Sequence, residues 1–182
     1  MAKLPSLTMM LGGAASGKST FAERAIVETC DERQKIYIAT AQAFDDEMRA
    51  KIARHRQIRA TDGWITHEEP LRITPLLQHA TADQIILLDC ATLWLTNQLM
   101  ADADLATASE ELVAALCTCA APVVVVTNEV GQGIVPETAM SRQFREAQGK
   151  LNQRIAQEAQ LVVQVIAGLP LVLKGTLPEG LS

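Results

Sequence analysis

No stretch of this 182-residue chain is apolar for long enough to cross a membrane as a helix. An export signal is not expected either, because Pro5 and a glycine-rich run arrive too early for a charged head and an apolar core. Positive charge is not in excess. Sixteen Lys and Arg stand against 21 Asp and Glu, for a net charge of −5. That balance argues against a general nucleic-acid partner or insertion at an anionic membrane surface. The four cysteines, Cys30, Cys90, Cys117 and Cys119, form no C-x-x-C pair. Cys117-Thr118-Cys119 stands too alone for a zinc site, so the thiols read as buried or inert in a cytoplasmic protein. Repeats, low-complexity tracts and linkers are missing too. With 48% hydrophobic and 20% charged residues, 1–182 reads as a single globular domain able to bury a core.

What is present starts at residue 12. Gly12-Gly13-Ala14-Ala15-Ser16-Gly17-Lys18-Ser19 fits the phosphate-binding pattern G-x-x-x-x-G-K-[ST]. The apolar run Leu7–Leu11 precedes it and a helix-competent run, Phe21–Cys30, follows, which is the strand–loop–helix setting the motif needs. Glycines allow backbone N–H groups to turn inward around phosphate oxygens, and the helix N-terminus adds positive potential. Lys18 is placed to reach the terminal phosphates and Ser19 to ligate Mg²⁺. The expected ligand is a nucleoside triphosphate.

Further apolar runs are Ile36–Ala39, Trp64–Thr66, Ile85–Leu88, Val123–Val126, Leu161–Ile166 and Leu171–Leu173. The four consecutive valines suit a central strand covered on both faces. Helical patterns separate the runs. Asp45–Arg59 opens acidic and ends basic, as the helix dipole favours. Glu69-Pro70 reads as a helix start, with proline at the first helical position. Thr107-Ala108-Ser109-Glu110 reads as a capping box, and Pro136–Ala159 as the last long helix, either continuous or interrupted near its start. His79 suits a helix C-terminus. Alternating strands and helices imply an α/β fold: a mostly parallel sheet of the P-loop NTPase type, flanked by helices. A tight Gly168-Leu169-Pro170 turn implies an antiparallel edge strand at the C-terminus.

Ligands in such folds lie beyond the carboxyl ends of the strands. Asp89 follows the Ile85–Leu88 run, where a carboxylate could partner Mg²⁺ with Ser19 or could cap the next helix, Thr92 being the competing cap. Thr127–Pro136 follows the valine strand and is long for a connection; it could hold a ligand, sense phosphate state or only connect. His55 shares the apolar stripe of Ile52 and Met48, beside Arg54, Arg56 and Arg59. It reads either as a core histidine or as a neutral imidazole able to attack phosphorus.

Longer segments resemble one family. LGGAASGKS (11–19), YIATAQAFDDEMRAKIARHR (37–56), WITHEE (64–69), ILLDCATLWLTNQL (86–99) and VTNEVGQGIVPETAMSRQFREAQGKLNQRIA (126–156) look like the bifunctional adenosylcobinamide kinase / adenosylcobinamide-phosphate guanylyltransferases of cobalamin biosynthesis. The stretch from Asn128 to Asn152 is the most family-specific. Departures are Ala15, where the family often has Arg, and Ala60, where it has Pro after Arg59. Arg54 stands where some relatives carry a second histidine.

The resemblance implies two activities. One phosphorylates a hydroxyl of adenosylcobinamide with ATP or GTP. The other moves GMP from GTP to that phosphate through a GMP–histidine intermediate, releasing pyrophosphate. It implies that Lys18 and His55 are catalytic, His55 being the nucleophile. It adds Ala39, Thr40, Ala41, Arg56, Gln57, Ile58, Arg59, Glu68 and Asp89 to the loop residues 12–19 as the nucleotide site, with Ser19 and Asp89 on Mg²⁺. Glu68, just after the Trp64–Thr66 run, would read guanine; otherwise it is a solvated acid beside a helix start. The partners implied are GTP or ATP, the corrinoid, and further copies in a homo-oligomer, a trimer. A plain P-loop small-molecule kinase and a nucleotide-dependent switch are the competing readings. The lack of a GTPase-type Asn-Lys-x-Asp segment counts against the switch.

Overall fold

A computed structural model describes residues 3–42, 57, 59 and 61–181. Seven strands form one sheet: β1 Leu7–Gly12, β2 Gln34–Ala39, β3 Trp64–Glu68, β4 Gln84–Asp89, β5 Val123–Asn128, β6 Leu161–Ile166 and β7 Leu169–Lys174. Their order is β3-β2-β4-β5-β1-β6-β7. Every pairing is parallel except β6 with β7. Among the described residues the helices are α1 Lys18–Thr29, α2 Ile73–Gln78, α3 Ala91–Met100, α4 Leu105–Thr118 and α5 Ala139–Glu158. The helix expected over Asp45–Arg59 lies outside the described residues, apart from Gln57 and Arg59.

Side chains alternate across each strand, so the sheet has two cores. Met10, Tyr37, Leu87, Val124 and Val126 meet Phe21, Ala22, Ala25 and Ile26 of α1. Met9, Ile38, Leu88, Val123 and Val125 meet the opposite layer, built from Ile73 and Leu77 of α2, Trp94 and Leu95 of α3, Leu112 and Leu116 of α4, and Leu151 and Ile155 of α5. The valine strand is buried on both faces, as its lack of alternation implies. No helix among the described residues is long and apolar enough to cross a membrane.

Several boundaries differ from the sequence reading. The capping box at Thr107 does not start α4: Asp104 does, its Oδ1 accepting the Ala106 N–H at 3.0 Å and its Oδ2 the Thr107 hydroxyl at 2.8 Å. An aspartate is the stronger cap, and it moves the start upstream. Glu69-Pro70 does not open α2. Glu69 Oε1 instead closes a turn on the N–H groups of Leu71 (3.0 Å) and Arg72 (2.8 Å), and the helix begins at Ile73. Likewise α5 begins at Ala139, capped by Thr138, because Arg142 takes the Pro136 and Glu137 carbonyls at 3.0 and 2.6 Å. The hairpin into β7 is a two-residue turn, Ala167 (φ 53°) and Gly168 (φ 80°), the left-handed pair that a tight hairpin demands. Leu169 and Pro170 already belong to β7, where an edge tolerates proline. Cys30 and Cys90 are buried, but Cys117 is exposed, so the thiols are not uniformly sheltered.

Candidate active site

The chain leaves β1 at Gly12 and enters α1 at Lys18. Glycine stands at both ends of this loop, for crowding at Gly12 and for backbone conformation at Gly17. A Cβ on Gly12 would collide with Ser16 Oγ and stand 2.7 Å from the Val165 carbonyl. Gly17 caps α1 with φ 90°, a conformation that glycine adopts freely. Between them Gly13, Ala14 and Ala15 are exposed and Ser16 is half-buried, as is Ser19 in the first turn of α1. The β6–β7 turn braces the loop: the Gly168 N–H donates to the Ser16 carbonyl at 2.8 Å. Lys18 is buried, and its Nζ donates to the Gly13 carbonyl at 3.0 Å, so the ammonium lies at the loop's own rim. A glycine-bounded loop, a helix N-terminus and a fixed ammonium together suit a cradle for phosphate.

Ala39, Glu68 and Asp89 lie level with one another across β2, β3 and β4. Thr40 is fully buried and joins two of these strand ends. Its N–H donates to the Asp89 carbonyl at 3.2 Å, its hydroxyl donates to the Cys90 carbonyl at 2.8 Å, and that hydroxyl accepts the Cys90 N–H at 2.9 Å. Asn97 Nδ2 then donates to the Thr40 carbonyl at 2.8 Å. Thr40 thus sets the shape of the strand ends, and Ala41 follows it half-buried. Strand β5 separates this row from the phosphate loop. Cys90, not Asp89 or Thr92, caps α3, its sulfur accepting the Leu93 N–H, which leaves the Asp89 carboxylate for other work. Burial, then the neighbouring Asp89 carboxylate, pushes the Cys90 thiol up to about 11. Gln57 is exposed and helical. His55, Arg56 and Ile58 lie outside the described residues.

Tyr37 and Glu23, which the sequence did not single out, join this region. The Tyr37 hydroxyl donates to Asp89 Oδ2 at 2.6 Å, and the Arg59 guanidinium lies over the Tyr37 ring, 3.5 Å from its centroid. Arg59 Nε approaches Glu23 Oε1 of α1 at 3.4 Å without hydrogen-bond geometry and is otherwise buried without an acceptor among the described residues. Burial raises the Glu23 pKa above the usual carboxylate range; Arg59 opposes that shift, and Asp89 and then Asp62 reinforce it. Tyr37 is also raised, by burial and then by Asp89.

A buried polar network stands behind the end of β5. Thr127 Oγ donates to Asn152 Oδ1 at 2.7 Å, Gln148 Nε2 reaches the same oxygen at 2.8 Å, and Asn152 Nδ2 donates to the Asn128 carbonyl at 3.0 Å. Thr92 Oγ accepts the Asn128 N–H at 2.7 Å. The following loop starts at the phosphate cradle, where the Glu129 N–H meets the Gly12 carbonyl at 3.1 Å. Arg145 holds its tip through the Gly133 and Ile134 carbonyls, at 3.3 and 3.0 Å. A groove of 640 Å³ between Ala103–Ser109 and α5 contains none of the candidate residues.

The oxygen donors fit Mg²⁺. Among the described residues no three His, Cys, Asp or Glu side chains gather as a metal cage. Mg²⁺ needs none, since it is held by one or two carboxylates or hydroxyls together with substrate phosphates and water. The Ser19 hydroxyl and the Asp89 carboxylate are of that kind.

A G-x-x-x-x-G-K-S loop between a buried parallel strand and its helix, on a seven-stranded sheet, makes this a P-loop nucleotide-binding protein. The solved structures agree at the level of fold. Flagellar accessory protein FlaH from Methanocaldococcus jannaschii superposes with a TM-score of 0.54 at 11% identity, covering 96% of this chain and 80% of that one. A second solved structure, an ATPase domain, gives 0.51 at 12% identity, covering 90% and 70%. Within that class the chain belongs to the cobinamide kinase / cobinamide phosphate guanyltransferase family, whose profile matches residues 8–173. It is 43% identical over 170 residues to the bifunctional adenosylcobalamin biosynthesis protein CobP of Pseudomonas aeruginosa, covering 92% of this chain and 96% of that protein. Against the bifunctional adenosylcobalamin biosynthesis protein CobU of Escherichia coli the identity is 39% over 185 residues, covering 92% and 99%.

Proposed function

We propose that this chain phosphorylates adenosylcobinamide with ATP or GTP and then transfers GMP from GTP to the resulting phosphate. The observation that carries the reading is the phosphate cradle, with Lys18 fixed at its rim, in a chain whose family relatives match it almost end to end. Phosphoryl and nucleotidyl transfer are mostly positioning and charge stabilisation. Lys18 and the loop amides gather the triphosphate. Ser19 and Asp89 would hold Mg²⁺, which supplies charge neutralisation to the phosphate oxygens. The neutral His55 imidazole attacks the α-phosphorus: a P–N bond forms, the bond to the bridging oxygen breaks and pyrophosphate leaves. An oxygen of the corrinoid phosphate then attacks the same phosphorus, the P–N bond breaks and the imidazole returns. The corrinoid pocket would form between copies of the chain in a homo-oligomer, a trimer.

Incubation with α-labelled GTP and Mg²⁺ followed by denaturation tests the reading. Acid-labile, base-stable label should remain on the protein, and His55→Ala should lose it while keeping ATP-dependent kinase activity. An unlabelled wild type would leave a kinase alone, and a labelled His55→Ala would move the nucleophile elsewhere.

A further inference from the structure

We infer that Tyr37 is a positioning residue of this site, holding Asp89 through its hydroxyl and Arg59 through its ring. The inference rests on the reading of Asp89 as the carboxylate that faces the triphosphate's Mg²⁺.

Tyr37 lies in the middle of an apolar strand, Ile36 to Ala39, and is almost completely buried. Packing alone would favour phenylalanine there, since a buried hydroxyl is costly unless bonded. The hydroxyl has one use in view: it donates to Asp89 Oδ2 at 2.6 Å, from the neighbouring strand β4. With that oxygen occupied, the rotation of the carboxylate is fixed, and Oδ1 is left to point at a ligand.

The ring has a second use. The Arg59 side chain is largely buried, yet its Nε donates to no acceptor among the described residues. Among the described residues the guanidinium meets the face of Tyr37, 3.5 Å away, and the Glu23 carboxylate. A guanidinium over an aromatic face is attracted by the ring's quadrupole. Glu23 follows Ser19 by four residues on α1, so both project from one side of that helix. Ser19, Glu23, Arg59, Tyr37 and Asp89 thus form one line of neighbours from the phosphate loop to the end of β4. A charge pair placed across a tyrosine, with each member touching a different part of it, is held at a set separation.

The test measures the affinity of a fluorescent GTP analogue in Mg²⁺ and in EDTA, for wild type, Tyr37→Phe, Asp89→Asn and the double variant. Tyr37→Phe keeps the ring and removes the hydroxyl. It should weaken binding about tenfold in Mg²⁺, the scale of a hydrogen bond to a charged group, and leave binding in EDTA unchanged. Asp89→Asn should do the same, and the double variant should be no weaker than Asp89→Asn alone, because the hydroxyl acts through that carboxylate. Tyr37→Leu also removes the ring and should weaken binding in EDTA as well; if it does not fold, Tyr37→Phe still decides. Wild-type affinity for Tyr37→Phe in Mg²⁺, or an equal loss in both buffers, would overturn the inference. An Mg²⁺-linked loss in Tyr37→Phe but not in Asp89→Asn would remove the reading of Asp89 instead.

Discussion

The space where a Cβ of Gly17 would stand is 3.2 Å from the Cα of Gly168, so the phosphate loop and the β6–β7 turn meet glycine to glycine. Both residues have positive φ, 90° and 80°. Their substitutions should nevertheless differ. Gly168→Ala adds its methyl to open space and carries only the backbone cost of a left-handed alanine, about 1 kcal/mol. Gly17→Ala carries that cost and also sets a methyl 3.2 Å from the Gly168 Cα, so that the turn or the loop must give by a few tenths of an ångström. Nucleotide affinity should fall about a hundredfold or more in Gly17→Ala, as when a preorganised phosphate cradle is lost, and less than threefold in Gly168→Ala. Equal affinities would mean the loop does not depend on this contact.

The polar network behind β5 should be a stability element. Asn152→Leu would strand the Asn128 carbonyl and remove the acceptor of the Thr127 hydroxyl, while Gln148 Nε2 keeps its bond to Thr127 Oγ at 3.0 Å. Stranding a buried polar group costs about 1–3 kcal/mol, so a loss of about 2 kcal/mol is expected. Urea unfolding measures it. Replacing Thr127, Gln148 and Asn152 together by Val, Leu and Leu should recover part of the loss, because no stranded side chain then remains.

The network and the cradle were not equally legible. Gly12, Gly17, Lys18 and Ser19 follow one another in the chain, so a short pattern carries their geometry. The valines of β5 likewise show, without alternation, that both faces are covered. Gln148 and Asn152 did leave a local signal: two polar residues four apart on the stripe that also holds Leu151 and Ile155. Tyr37 left none, since a tyrosine in an apolar run reads as core and its partner Asp89 lies 52 residues away. Asp104 and Thr107 both suit a helix cap, and the choice depends on where α4 meets the sheet. Nothing local reveals that β5 stands between the phosphate loop and Asp89, because strand order is set by which faces the helices must cover.

The α4 cap should show itself in acid. Bonds from the Thr107 hydroxyl, then from the Ala106 and Thr107 N–H groups, lower the Asp104 pKa below 3.8. A carboxylate lowered on folding contributes stability that is present above its unfolded-state pKa and is lost as pH falls through the folded-state value. Asparagine caps as well as aspartate but does not titrate. The thermal midpoint of wild type minus that of Asp104→Asn should therefore be constant from about pH 5 to 8 and should fall as pH drops below about 4. A difference that stays constant down to about pH 2 would show that the carboxylate is not held ionised by the cap.

Glu68 offers a test of base selection. It ends β3 at the sheet edge, exposed, level with Ala39 and with Asp89 two strands away. Four strand steps separate β3 from β1, about 19 Å along a flat sheet. A nucleotide with its phosphates on the cradle and its base at Glu68 would therefore lie stretched along the carboxyl edge, passing Asp89 on the way. Guanine presents N1–H and N2–H₂ as adjacent donors, and one carboxylate accepts both. Adenine has an unprotonated N1 on that edge and would set an acceptor against the carboxylate. A covered site that pairs polar groups in this way rejects the wrong base because it strands its own acceptor. In Glu68→Gln, an amide donor would oppose one of guanine's donors. The preference for GTP over ATP in protein self-labelling should then fall about tenfold or more, with ATP-dependent kinase activity changed less. Inosine triphosphate lacks the N2 amine, so wild type should prefer GTP to it and Glu68→Gln should not. If the preference for GTP over both competitors is the same in wild type and variant, Glu68 does not read the base.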